Sequence, residues 1–356
     1  MLTTTLALAA LLSVPSHAEP PSPSGPAGGA ARAPVRVVAT LPVYASLARE
    51  IGGTEVTVMS IADPGEDAHF VRPKPSFALE LKRADLFITT GLDLELWVPT
   101  LLDKAGNPDV LEGGRGYVSA HSGIVLLDIP TAADRAAGDV HIYGNPHLHT
   151  DPLRALQIAR NIAAGLTRVA PDRRGLWESN LASFEDRLHR RLFGERLVDA
   201  LGGPTLERLA LSGGLTRFLG TQQYQGRPLT VLLGGWLKQA EALDGQRILC
   251  YHKSWAYFEQ RFGVTCADYV EVKPGIPPTP RHVSRLVELM RGGVKVLLAE
   301  TYFDRTKVDA VAQRGGATAV VVPAQTEARP AVGDYFGLVD VWVGSLARAI
   351  GAVAHP

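Results

Sequence analysis

The chain has 356 residues, of which 46 % are hydrophobic and 20 % charged, with 36 Lys and Arg against 36 Asp and Glu. That length suits two domains of ordinary size, and that apolar fraction belongs to a globular chain rather than a disordered one. A formal net charge of zero leaves no basic footprint for nucleic acid and no cationic face for a membrane surface.

The first segment reads as an export signal. Leu6 to Val14 (LALAALLSV) is a short apolar run, followed by Pro15 and the small-x-small tripeptide Ser16-His17-Ala18. This is the layout of a signal peptide over residues 1–18, and the run is too short to span a bilayer. No Cys adjoins the cleavage point, so no lipid anchor is expected, and no later stretch is long enough for a transmembrane helix. Residues 19–34 form a Pro/Gly-rich tether. The product is expected in the periplasm, with its fold beginning near Val35.

From there, short β-branched runs alternate with amphipathic segments. VRVVATL reads as a strand, VYASLAREIGG as a helix closed by glycine, and TEVTVMSI as a second strand. SFALELKRA is a helix, DLFITTG a strand, LELWVPTLLDKAG a helix, and GIVLLDI (Gly123 to Ile129) the closing strand of this set. After residue 245 the same grammar resumes. QRILCY, VTCADYVEV, VKVLLAE and ATAVVVPA read as strands; KSWAYFEQRFG, TPRHVSRLVELMRGG, DRTKVDAVAQRGG and the stretch from Tyr335 to about Ala352 read as helices. Such alternation implies parallel strands with right-handed crossovers.

Between the two sets, DPLRALQIARNIAAGLTRVA carries apolar residues at 3–4 spacing. Pro171 permits a fresh helix start, and the stripe continues to Leu192. The expected fold is therefore α/β: two lobes with mainly parallel sheets, each with its own core, joined by a long rigid backbone helix. The N-terminal lobe spans 35–165, the linking helix 166–200, an insertion of short helices and turns 201–245, and the C-terminal lobe 246–356. The only cysteines, Cys250 and Cys266, fall on successive strands at what read as opposite ends. An exported chain permits a bridge, but this placement predicts two buried free thiols.

Three histidines carry the chemistry. In open α/β sheets ligands bind beyond the carboxyl ends of the strands. His69 follows TEVTVMSI through the loop ADPGEDA, His252 comes directly after QRILCY, and His147 precedes the helix that starts near Asp151. One histidine in such a loop is more often structural. Three at equivalent edges of two facing lobes point to a shared metal ion, and imidazole nitrogens favour zinc over manganese. Because imidazole binds metal only when neutral, affinity should fall as pH drops through the histidine range.

The motifs around these residues extend the case: His69 with RPKPSFALELKRADLFITTGLDLELW, then GNPHLHTDP, YHKSWAYFEQRFG, VEVKPGIPPTPRHV and DYFGLVD. In this order they resemble the metal-specific solute-binding proteins of ABC importers, the zinc- and manganese-binding family that includes the streptococcal adhesin lipoproteins. The resemblance implies a metal cleft between the lobes, with family ligands mapping onto His69, His147 and His252. The fourth position falls around PAQTEARP, where Glu327 is the carboxylate. His141 and Glu300 are supporting residues of the second shell, and His149 is either a spare ligand or shell residue or a solvated loop residue. It also implies a monomer that carries Zn2+, or Mn2+, to an inner-membrane ABC permease. Two competing readings are a zinc hydrolase and a binder of chelates such as a siderophore or cobalamin. No HExxH, GxSxG or Walker motif supports an enzyme.

Overall fold

The structure, a computed structural model, describes residues 33–130 and 141–354. The expected signal peptide and nearly all of the tether lie outside the described residues. From Pro34 onward the chain packs as one compact unit. Among the described residues no helix is long and apolar enough to cross a membrane.

The first lobe winds through β1 (Val35–Ala39), α1 (Pro42–Gly52), β2 (Val56–Ser60), α2 (Pro75–Arg83), β3 (Leu86–Thr89), α3 (Val98–Ala105) and β4 (Tyr117–Ser119). Its sheet is wholly parallel in the order β2-β1-β3-β4. The central strands β1 and β3 are almost entirely buried, as parallel strands covered on both faces must be.

The closing strand differs from expectation. Tyr117–Ser119 supplies the fourth strand, whereas the apolar run 123–129 is irregular. Gly123 (φ 76°) and Asp128 (φ 55°) both take left-handed backbone, which breaks an extended run from within. Val125 and Ile129 are left 78 % and 59 % exposed.

The second lobe repeats the winding with β7 (Arg247–Cys250), α10 (Ala256–Phe262), β8 (Thr265–Tyr269), α11 (Pro280–Arg291), β9 (Val296–Glu300), α12 (Arg305–Gly315), β10 (Thr318–Val322) and α13 (Tyr335–Ala354). Its strand order is β10-β9-β7-β8. Counted from the first strand of each lobe, both sheets have the order 2-1-3-4. Both therefore place their binding edge at the carboxyl ends of corresponding strands.

Cys250 and Cys266 form a disulfide with Cα atoms 5.5 Å apart, which corrects the expectation of free thiols. The strands β7 and β8 are direct parallel neighbours, and Cys266 lies opposite Ile248, two residues before Cys250 on the same strand face.

Two helices, not one, join the lobes. Helix α4 (Pro152–Val169) stops before Pro171, a short 3-10 turn follows, and α5 (Arg174–Phe193) runs on to Gly194. Proline removes a helical N–H and bars the preceding residue from continuing the helix. The expected linking helix at 166–200 thus resolves into α5, whose 20 residues span roughly 30 Å at 1.5 Å per residue. On one side Asn180 Nδ2 donates to Ile51 O (2.9 Å) and Arg187 pairs with Glu50 of α1. On the other, Phe184 packs on Phe336 (5.3 Å between centroids) and Arg191 pairs with Asp340 of α13.

The insertion folds as α6 (Glu195–Leu201), α7 (Gly203–Leu211), α8 (Leu215–Thr221), a two-stranded hairpin of β5 (Gln223–Tyr224) and β6 (Arg227–Pro228), and α9 (Gly235–Gln239). It is fastened to the strut by Glu207, which accepts from Arg160 of α4 (2.6 Å) and pairs with His189 of α5 (3.0 Å).

The lobes do not have separate cores. One continuous apolar cluster runs from β1 and β3 through Trp177 and Phe184 to Trp255, Phe258 and Trp342. A smaller one, around Leu249, Met290 and Leu297, covers the other face of the second sheet. A polar tie reinforces the shared core. Asp151, fully buried at the N-cap of α4, accepts from Leu153 N (3.0 Å) and from Arg261 of α10 (2.8 and 3.0 Å), and pairs with Arg154.

Burial alone would raise the Asp151 carboxyl, but Arg261 and then Arg154 hold it below the ordinary range. A depressed carboxyl stabilises the fold above its unfolded value, near 3.9, and loses that contribution as pH falls through its folded value. Asp151→Asn should therefore cost about 3–5 kcal/mol at pH 7, the usual cost of breaking a buried pair. Urea unfolding should show the deficit shrinking once pH is taken below about 4.

Candidate metal centre

The two binding edges face each other, and the loops leaving them carry the histidines. After β2 the chain reaches the Ala68–Phe70 turn, where Asp67 accepts from the His69 backbone N–H (3.0 Å) and from His69 Nδ1 (2.6 Å). Trp97 Nε1 donates to Ala68 O (2.8 Å), pinning the same turn. The carboxylate on Nδ1 selects the tautomer in which Nε2 carries the lone pair.

His141 is held in the same way. Its Nδ1 donates to Asp93 Oδ1 (3.0 Å), and Asp93 Oδ2 accepts from Ile142 N (2.9 Å). The Nε2 atoms of His69 and His141 then face each other at 3.2 Å. In the neutral rings both are acceptors, so two lone pairs point together, a repulsion that a cation or a proton between them relieves.

His147 and His252 complete the group. The His69 centroid lies 5.3 Å from that of His141, 5.5 Å from His147 and 5.3 Å from His252. His147 is 5.9 Å from His141 and 5.8 Å from His252. Nitrogens of His69, His141 and His147 lie within 4.8 Å of one another. His252, from the second lobe, packs edge-on against His69 and His147. His147 Nε2 and both nitrogens of His252 are buried without a hydrogen-bond partner. Orphan nitrogens of this kind are costly and rare in native folds.

Burial first, then neighbouring imidazoles, hold His147 well below its ordinary pKa and His252 down to about 3. Both are neutral and ligand-ready at physiological pH. The expected decline of affinity through the ordinary histidine range therefore does not arise from these two rings.

Beside the cluster lies a small, partly open cavity of about 20 Å³, bordered by Asp67, His69, His147, Ser254, Glu300 and Tyr302 among others. Glu300 ends β9 fully buried, and burial pushes its carboxyl up to about 8, with Ser254 and Trp255 offsetting part of the rise. Those two donors lie near the carboxyl, yet neither they nor the Glu300 oxygens make a hydrogen bond of good geometry.

Of the sequence candidates, His69, His147 and His252 converge, and Glu300 stands at the adjoining cavity. Two candidates stand elsewhere than expected. His141 stands inside the cluster rather than behind it. Glu327 stands outside it, paired with Arg329 (2.6 Å), because the chain after β10 turns so that Gln325, not Glu327, borders the cavity. His149 is neither solvated nor part of the cluster. It is buried, its Nε2 donates to Ala324 O (3.1 Å), and burial lowers its pKa to about 4.

Asp67 and Asp93 were not identified from sequence. Asp67, two residues ahead of His69, had a local signal in its Asx turn. Asp93, 48 residues from His141, had none.

Comparison with known proteins gives the family and the fold. The family model for zinc-uptake complex component A, periplasmic (ZnuA), matches residues 37–191 and 229–349, leaving out most of the insertion. The metal ABC transporter substrate-binding lipoprotein SsaB of Streptococcus sanguinis is 25 % identical over 43 % of this chain and 48 % of its own. The corresponding lipoprotein FimA of Streptococcus parasanguinis is 22 % identical over 78 % and 76 %. The match to SsaB and to several other curated relatives spans about half of their length.

Among solved structures, a zinc-bound ZnuA deletion mutant superposes with a TM-score of 0.64 at 20 % identity, covering 89 % of this chain and 98 % of that one. A Mn-bound periplasmic metal binding protein from Candidatus Liberibacter asiaticus gives 0.62 at 16 % identity, covering 89 % and 99 %. At these identities the structural likeness shows the fold.

The buried neutral imidazoles carry a pH signature. An unfolded chain protonates them near 6.5, whereas the fold keeps His252 and His149 neutral down to about 3 and about 4. The metal-free protein should lose stability as pH falls below about 6.5, by up to about 1.4 kcal/mol per pH unit for each such ring. Urea midpoints of chelator-treated protein at pH 7, 6 and 5 would show it.

Proposed function

The chain belongs to the zinc-uptake complex component A family, and from that premise we propose that it captures a divalent transition metal ion outside the cytoplasm for an ABC-type importer. The observation that carries this reading is the convergence of His69, His141, His147 and His252 from both lobes, with Asp67 and Asp93 fixing which nitrogen two of the rings present.

Four imidazoles, with no carboxylate in the cluster among the described residues, favour zinc. Manganese sits lowest in the affinity order for such donors and prefers oxygen. Copper and nickel bind such ligands at least as well as or better than zinc does, so availability and the tetrahedral preference of zinc complete the argument. A cavity of about 20 Å³ has room for a water or an ion and none for a siderophore or a cobalamin. The family matched is one of substrate-binding proteins of metal ABC transporters.

Delivery to a permease follows from the family role. The shared core and the strut α5 favour a small adjustment of the lobes over wide hinge opening, since parting them would expose apolar surface at about 25 cal/mol per Å².

His252→Ala and His141→Ala should each weaken zinc binding by more than the about 10- to 100-fold typical of losing an outer-shell partner. Glu327→Gln should leave it unchanged. Competition titration against a chromophoric chelator measures all three. Wild-type affinity in either histidine variant would overturn the assignment of that ligand.

A further inference from the structure

Asn145 lies two residues before His147, is 1 % exposed, and has every polar atom engaged. Its Oδ1 accepts from His147 N (3.0 Å), while its Nδ2 donates to Lys253 O (2.9 Å) and to Asp128 Oδ2 (3.3 Å). Its backbone N–H donates to Leu127 O (2.8 Å), and its carbonyl accepts from Tyr257 OH (2.6 Å). The amide orientation is dictated by this network: a backbone N–H on one side demands the oxygen there, and a backbone carbonyl on the other demands the nitrogen.

The partners matter more than their number. His147 is a first-lobe member of the cluster. Lys253 is in the second lobe and directly follows His252, and Tyr257 is on α10 in the same lobe. One side chain thus fastens the turn that carries His147 to the turn that carries His252. Neither ring has an orienting partner on the nitrogens left orphaned in the cluster: His147 Nε2 and both His252 nitrogens bond to nothing. Their placement therefore depends on backbone, whereas His69 and His141 are aimed by carboxylates.

We propose that Asn145 is a positioning residue for the metal cluster, a cross-lobe staple that sets the separation of His147 and His252 before the ion arrives. It makes no contact with the ion. It acts by keeping the two turns in register, so that binding spends little free energy on ordering them. This rests on the proposed role of the histidine cluster. Asn145 itself supplies no ligand in this proposal.

Asn145→Asp is the sharpest test. It preserves the shape and the acceptor for His147 N–H, but it sets a carboxylate oxygen against Lys253 O in place of a donor. Asn145→Ser, which removes the reach to Lys253 without adding charge, is the companion should the first variant unfold. The full chain with zinc, and with cobalt as a spectroscopic stand-in, is compared with wild type.

The expected result is a zinc affinity lower by about 10- to 100-fold. The cobalt visible bands should lose intensity and shift as the coordination distorts, with far-UV circular dichroism unchanged. A folded Asn145→Asp or Asn145→Ser variant with wild-type zinc affinity and wild-type cobalt bands would overturn the proposal. If His252→Ala also bound zinc normally, the histidine cluster itself would be the wrong site. If His252→Ala lost zinc while the Asn145 variants did not, only the staple would fail.

Discussion

At the centre of the cleft, His69 Nε2 and His141 Nε2 face each other across 3.2 Å because carboxylates behind the two rings occupy their other nitrogens. Asp67 and Asp93 therefore do more than orient. They force two lone pairs into one small volume, next to further orphan nitrogens on His147 and His252. A protein interior tolerates such an arrangement only where something electron-poor can enter. Burial strengthens the effect by keeping His147 and His252 neutral, so these rings cannot escape the conflict by taking up protons at physiological pH. The rest of the molecule can be read as the scaffold that maintains this unfavourable convergence.

That scaffold is stiff. Both lobes wind their sheets in the same 2-1-3-4 order, which brings corresponding strand ends to the cleft. The lobes share one apolar core along α4, α5 and α13 rather than pivoting on a flexible linker. Buried charge pairing at Asp151, and the hydrogen bonds of His149 to Ala324 and Tyr335 to His149, cross the same seam. An ion bound between the lobes, as proposed, would meet a nearly prebuilt cage. Affinity then comes chiefly from coordination and little is spent on closure. The disulfide between Cys250 and Cys266 fixes β7 to β8 two residues before His252, adding to the rigidity of the second lobe.

Much of this was readable in the chain. Strands such as VRVVA and LFIT are short, apolar and β-branched because both faces are covered, and the glycines and prolines between them mark the crossovers. His69, His147 and His252 were legible because fold grammar places them at strand ends. The errors have physical causes. The run at 123–129 satisfies the composition of a strand, yet its backbone turns left-handed at Gly123 and Asp128. The pairing of β7 with β8, which sets Cys266 opposite Ile248, decided the disulfide. His141 has no periodic signal, and its role depends on Asp93, 48 residues away. Glu327 was chosen for its charge, whereas its position was decided by how the chain turns after β10.

The proposed zinc site draws its ligands from imidazole nitrogens of both lobes. Zinc K-edge X-ray absorption on the stoichiometric complex tests it most directly. The expected result is a shell of about four nitrogen ligands near 2.0 Å, with strong outer-shell scattering from imidazole rings. A shell dominated by oxygen, or one with fewer than three imidazoles, would contradict it.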